Sequence, residues 1–384
     1  MAFARRSTPK VDAGAGIDQA VPPGLQIAGA FSWRILVVVA VIAVFIFLVI
    51  EFKYIVIPFM IAILIGALLV PLVQSLQRHH WPKWLAVALA MLGTIAIVAG
   101  LVFIVVAQIR SGFPDLQTRS LTAYEQFKDF LAASPLQLDD KQIAAYFDQA
   151  VASIQKDSQA LISGALSVGT TAGHVLAGLL LTLFATLFIL IDGKGIWAWI
   201  VRLFPRKART AVDGSGHAGW ITLTTFVKVQ IFVAFVDAVG IGLGAWILGL
   251  ISGLGFPLVI PIAIAVFLGS FIPVVGAVLT GVIAVFVALV YLGPFWALIM
   301  IGIVLLVQQV EGHILQPLVM GTAVKVHPLA VVFAVAAGSF IAGIPGALFA
   351  VPIIATGNVM VKYIASGEWR TNPRPTAEDV LPHA

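Results

Sequence analysis

A chain of 384 residues that is 61% hydrophobic and 10% charged, with a net charge of +5 and a mean hydropathy of +1.08, does not have the composition of a soluble domain; soluble domains carry about 25% charged residues. It is a polytopic membrane protein by composition, and its basic excess informs on orientation rather than on an acidic partner. No dense basic run or aromatic-interleaved basic patch marks a nucleic-acid surface, and the absence of cysteine excludes disulfides, thiolate metal sites and cysteine nucleophiles.

Residues 1–33 mix Pro, Gly, Ala and charges, and read as a disordered cytoplasmic tail. They hold no short apolar core with a small-residue cleavage site, so no removable signal peptide is expected. Residues 34–108 carry three transmembrane helices: Ile35–Ile50, Ile55–Val73 and Trp84–Ala107, each near the ~20 residues needed to span. Trp81 and Trp84 suit an interface, and Pro58 and Pro71 are tolerable inside a kinked membrane helix. Residues 109–163 turn polar, with Tyr124, Phe127, Phe130 and Leu131 at helical spacing, and predict an extracytoplasmic segment of two or three amphipathic helices.

Two more spans follow over 164–250, separated by a basic loop at 192–219 that holds Lys194, Arg202, Arg206, Lys207 and Arg209. By the positive-inside rule this loop is cytoplasmic, and counting crossings puts both termini inside and 109–163 outside. The fifth span contains Lys228, Gln230 and Asp237. A charge at the centre of a membrane helix costs ~2.5–3.5 kcal/mol on insertion scales, so Asp237 requires a reason. Lys228 and Asp237 are nine residues apart, on opposite helix faces, and do not pair with each other.

Residues 251–365 form the expected transport core, and an internal echo runs through them. Gly269-Ser270-Phe271-Ile272 recurs as Gly338-Ser339-Phe340-Ile341; Pro273 and Gly276 follow one copy, Pro345 and Gly346 the other. Each copy reads apolar helix, Pro/Gly break, apolar helix. With the single helix 295–311 between them, two such hairpins enter from opposite faces, an inverted repeat of broken helices of the kind that points to a transport site. Between the copies, Gln308, Gln309, Glu311, His313, Gln316 and Pro317 interrupt an apolar helix. On an α-helix at ~100° per residue, Gln309, His313 and Gln316 share a face and Glu311 points the other way. Such a stretch is either the wet end of a membrane helix or a polar hinge beside a permeation path, since it cannot face lipid. Residues 366–384 are expected as a cytoplasmic tail.

The runs FIPVVGAVL at 271–279, QQVEGHILQPLVMG at 308–321, KVHPLAV at 325–331 and GIPGALFAVPI at 343–353 resemble the autoinducer-2 exporter, or PerM-like, family of bacterial permeases, as does the IDGKG…LFPRKAR segment at 191–209. The resemblance covers about 30 to 365. It implies an all-α transporter of the bacterial inner membrane, a homo-oligomer, that exports a small polar solute such as autoinducer-2; some members are described as sodium/proton antiporters. One departure stands out. The family commonly has an aromatic-Arg-Gly-Gln motif early in the fifth span, where this chain has Phe226-Val227-Lys228-Val229-Gln230. Lys keeps the charge and loses the bidentate fork.

The expected path comprises Lys228, Gln230, Asp237, Pro273, Gly276, Gln308, Gln309, Glu311, His313, Gln316, Pro317, Pro345 and Gly346, with lipid bilayer and a polar solute or ion as partners and no cofactor, metal or nucleic acid. An enzyme is disfavoured. Glu311-Gly312-His313 has the wrong order and spacing for a zincin helix, and there is no Gly-x-Ser-x-Gly and no P-loop. A cation/proton antiporter is the main rival, because Asp237, Glu311 and His313 can all carry protons. A non-transporting membrane scaffold is third.

Overall fold

A computed structural model of the chain describes residues 22–132, 168–272, 275–320 and 327–380, and among these it is helical with no strand. Among the described residues, seven helices are long and apolar enough to cross a membrane, and two shorter apolar helices accompany them. The chain is an all-α polytopic membrane protein.

Helix α1 (Pro23–Glu51) forms a unit by itself, with Pro23 at its first position, where a missing N–H costs nothing. Residues 23–33 are therefore helical and not part of a disordered tail. The stretch PGLQIAGAFSW carries no charge and continues the apolar helix towards its N-terminus.

Helices α2 (Lys53–Arg78), α3 (Lys83–Ala132) and α4 (Val168–Arg202) share a core of Leu69, Val73, Ala86, Val87, Ala90 and Leu190. Between α2 and α4, Thr182 donates its hydroxyl to the Pro58 carbonyl at 3.3 Å. Two boundaries differ from the sequence reading. The third span does not end near residue 108; it continues as one helix to Ala132, because the change from apolar to polar residues marks the bilayer surface and not a helix end. The remainder of the 109–163 segment, residues 133–163, lies outside the described residues. The basic segment 192–219 is also not a loop. Helix α4 kinks at Asp192 (φ −141°, ψ 37°), whose carboxylate accepts from the Gly195 N–H at 3.2 Å and so caps a resumed helix. Only residues 203–208 turn before α5 (Arg209–Ser252), and Arg209 donates to the Arg202 and Phe204 carbonyls at 2.9 and 3.0 Å. Part of the basic density thus satisfies helix-end carbonyls.

Helix α5 has 44 residues, about 66 Å at the usual rise, and the rest of the transport core is laid along it. Near its N-terminal end, Gly214 touches Tyr363, and Gly219 touches Met360 and Thr356. Near its C-terminal end, Gly249 touches Phe256, Gly244 touches Ile303, Gly242 touches Ala263 and Gly240 touches Val307. The helices α6 (Val259–Gly269), α8 (Pro294–Val310) and the second arm of α9 (Pro328–Ser366) therefore all run antiparallel to α5. The order of contacts has a consequence for polarity: α6 with α7 (Val275–Leu292) comes in from one end of α5, and α9 comes in from the other.

Both insertions are broken helices. The first breaks between α6 and α7; the second leaves helical geometry at Ala342 (φ −138°) and Gly343 (φ 63°), a left-handed value suited to glycine. The breaks share one construction. A Cβ on Gly276 would strike the Gly269 carbonyl, and a Cβ on Gly346 would strike the Gly338 carbonyl. Ser270 donates to the Val266 carbonyl at 2.8 Å, and Ser339 to the Val335 carbonyl at 2.7 Å. The tips meet: Ile272 packs into the cluster of Val335, Ala347 and Ala350.

Past Ser366 the chain does not trail off. Tyr363 donates to the Asn372 carbonyl, and the N–H and hydroxyl of Thr376 both donate to the Asp379 carboxylate at a one-turn helix (α10, Ala377–Val380). Hydrogen bonds from the Thr376 N–H, the Thr376 hydroxyl and Asn372 hold the Asp379 carboxyl below the usual carboxylate range. A lowered folded-state value means that this arrangement is intact above the ordinary range and is lost as pH falls through it.

The glycine appositions predict that Gly276→Ala and Gly346→Ala each destabilise the fold by about 1–3 kcal/mol, as overpacking against backbone does. Gly302→Ala and Gly357→Ala, where a Cβ meets nothing within 4 Å, are the controls and should be neutral or better. Thermal unfolding in detergent measures this; equal midpoints for all four variants would contradict the shared hairpin construction.

Candidate functional site

The two tips meet beside the middle of α5, where Gln230 and Asp237 lie seven residues apart on one face. Both are buried, with Asp237 only 5% exposed. Gln230 donates its side-chain amide to the Ser270 carbonyl at 2.7 Å. That carbonyl belongs to the end of α6, where no intrahelical donor remains. Asp237 Oδ2 lies 3.1 Å from the Ser270 hydroxyl, and Asp237 Oδ1 is buried without a hydrogen-bond partner. The polar groups of α5 thus hold the tip of the first hairpin by its main chain and its side chain together.

The polar stretch after α8 changes helix type. Residues Glu311–Met320 wind as a π-helix, a form usually limited to single turns and frequent at functional sites. The π segment packs against α5, and Glu311 is half-buried and close enough to Asp237 for the two carboxyl groups to interact electrostatically. Gln308 is also half-buried, whereas Gln309 and His313 are exposed, with His313 Nδ1 3.3 Å from the Gln309 carbonyl. The expected common face of Gln309, His313 and Gln316 holds only for α-helical winding. The wider turn that starts at Glu311 is not α-helical winding. Gln316 and Pro317 sit within the π segment.

The structure brings Gln230, Asp237 and Glu311 together, with Gly276 and the Pro345-Gly346 step at the two breaks. Lys228 is not among them: it is exposed, on the face of α5 away from Asp237. Pro273 lies outside the described residues. Sequence reasoning missed Ser270 as a contact residue. Its signal was present, because Ser follows Gly in both copies of the echo, but it served there only to mark the repeat.

Removing the amide of Gln230 leaves the Ser270 carbonyl buried without a donor. Gln230→Leu is expected to cost about 1–3 kcal/mol of stability, and Gln309→Leu, at an exposed position, within about 0.5 kcal/mol. Unfolding midpoints of the two variants side by side test this, and equal values would remove the amide from the account of the tip.

Residues 35–366 match the sequence profile of the AI-2E family transporter. The chain is 37% identical over 363 residues to the "Putative transport protein MT0215" of Mycobacterium tuberculosis, with 94% of this chain and 96% of that one covered. It is 23% identical over 325 residues to the AI-2 transport protein TqsA of Escherichia coli, with 82% and 87% covered. With helices long and apolar enough to cross a membrane, two opposed broken hairpins and a family match over most of its length, the chain belongs to the AI-2E family of membrane transporters.

Proposed function

We propose that the protein is a secondary permease of the bacterial inner membrane, and that it exports a small polar solute of the autoinducer-2 type through the junction of its two hairpin tips. The observation that carries this reading is the pair of broken helices entering from opposite ends of α5 and meeting beside buried Asp237. Helix ends at membrane depth present carbonyls and amides that bind a polar solute without a dedicated charge. Gln230, Asp237, Gln308 and Glu311 border the path on this reading, and Lys228 and His313, both exposed, stand outside it. The name of the Escherichia coli relative supports the solute class. Cation/proton antiport is the second reading, favoured by Asp237 and Glu311 lying together in the core. A homo-oligomer fits the large apolar surface of the first arm of α9, where Phe340 is 92% exposed.

Proteoliposomes loaded with autoinducer-2 decide between the two. Solute efflux that is saturable and survives collapse of sodium and proton gradients supports the first reading; sodium-driven proton movement with no solute flux supports the second. Glu311→Gln should lower flux roughly tenfold, about 1.4 kcal/mol, while His313→Ala leaves it near wild type. Equal flux in both variants would take Glu311 out of the path.

Orientation follows from the basic residues near 194–209. A cysteine placed at Lys207, in the exposed turn after α4, should stay unlabelled by an impermeant thiol reagent in intact cells, and one at Ser134 should label. The reverse pattern would invert the topology.

A further inference from the structure

We propose that Asp237 and Ser270 form a proton-operated latch that docks the tip of the first hairpin on α5 when Asp237 is protonated and releases it when the proton leaves. The Ser270 hydroxyl lies 2.8 Å from the Val266 carbonyl and 3.1 Å from Asp237 Oδ2, but it has a single proton to give. The equivalent serine of the second hairpin shows how that proton is used. Ser339 donates to the carbonyl four residues back at 2.7 Å, and among the described residues no carboxylate approaches it. When Ser270 does the same, its oxygen is left to accept, and the group 3.1 Å away must then donate. Only the neutral acid form of Asp237 can do so.

The other carboxyl oxygen points the same way. Asp237 Oδ1 is buried without a partner in a side chain that is 95% covered, since Asp237 is 5% exposed. A neutral carbonyl oxygen tolerates this far better than an ionised carboxylate does. The charged surroundings agree. Helix α6 contains no titratable residue, and α7 contains only Tyr291, at its far end against Arg119. Helix α8 has none, and the π segment brings Glu311, a second acid, and exposed His313. In α9, Lys362 and Tyr363 lie at the opposite end of the core, and on α5 itself Lys228 faces away. Ionisation of Asp237 therefore puts a charge beside another acid. The shortest way to solvate it is to separate the tip from α5, breaking the Gln230–Ser270 bond as well. Gly269 and Gly276 hold the two arms of the hairpin backbone to backbone, so the arms move together.

The latch deepens the transport reading and rests on it for its use, because tip movement matters only where a path runs beside the tip. The latch itself is read without any flux. The chain has no cysteine, so spin labels placed at Phe232→Cys on α5 and Leu268→Cys on α6, both exposed positions, report their separation uniquely. In lipid nanodiscs at acid pH the distance distribution is expected to be single and short. Raising the pH should add a longer component in the wild-type background. Asp237→Asn should hold the short distance at every pH, because its amide is neutral and still donates to Ser270. Infrared spectra should show the carbonyl stretch of a protonated buried acid at low pH, absent in Asp237→Asn and kept in Glu311→Gln. If Asp237→Asn does not fold, Ser270→Ala serves instead: it should shift that band by removing the acceptor. A distance that ignores pH, one that titrates equally in Asp237→Asn, or an acid band that survives Asp237→Asn or ignores Ser270→Ala would overturn the latch. Loss of solute flux with these signals intact would count against the transport reading alone.

Discussion

A helix that stops inside a bilayer leaves carbonyls and amides with no water to receive them, and each must find a partner within the protein. The architecture of the core follows from that demand. The broken end of α6 is acceptable because Gln230 reaches its last carbonyl. The serine hydroxyls of both breaks fold back onto the preceding turn for the same reason. The paired glycines let the two arms of each hairpin approach backbone to backbone, which keeps the break small enough to be covered. Polar groups therefore gather at the tips, where the protein must satisfy them itself.

Helix α5 supplies the frame. Its glycines are placed along most of its length and admit α9 near one end, α6 and α8 near the other. Because every close approach is made through a missing side chain, the three partners share one helix without displacing each other. The apolar core around Ile241, Ala245, Leu248, Ile262, Ala284 and Met300 fills the C-terminal half of this frame and fixes the first hairpin. The second hairpin is held more by its second arm than by its first, whose side chains Val332, Phe333 and Phe340 are exposed.

Much of this was legible in the sequence. The spans stand out because apolar runs of bilayer length have few other uses. The repeated Gly-Ser-Phe-Ile followed by Pro and Gly located both breaks, since a break needs residues that tolerate unusual backbone and close approach, and few residue types do. Helix ends away from such residues were not legible. The passage from Gln108 to Pro114 changes polarity without changing conformation, and Asp192 looks like the start of a loop while it caps a resumed helix. The site was half legible. Asp237 drew attention through the cost of burying a charge, but its partner Ser270 is a small residue whose role appears only once two distant segments meet. The face assigned to Gln309, His313 and Gln316 presumes α-helical winding, and no local residue announces the π winding that begins at Glu311.

Helix α3 has a mechanical side. Its 50 residues span about 75 Å, and residues 109–132, about 36 Å of helix, continue beyond the apolar span Lys83–Gln108. That outer part is not idle: α3 packs on α6 and α7, and the Arg119 guanidinium sits 5.4 Å above the Tyr291 ring, at the root of the second arm of the first hairpin. The same rod that crosses with the apolar spans therefore also buttresses, beyond them, the root of the element whose tip lies against Asp237.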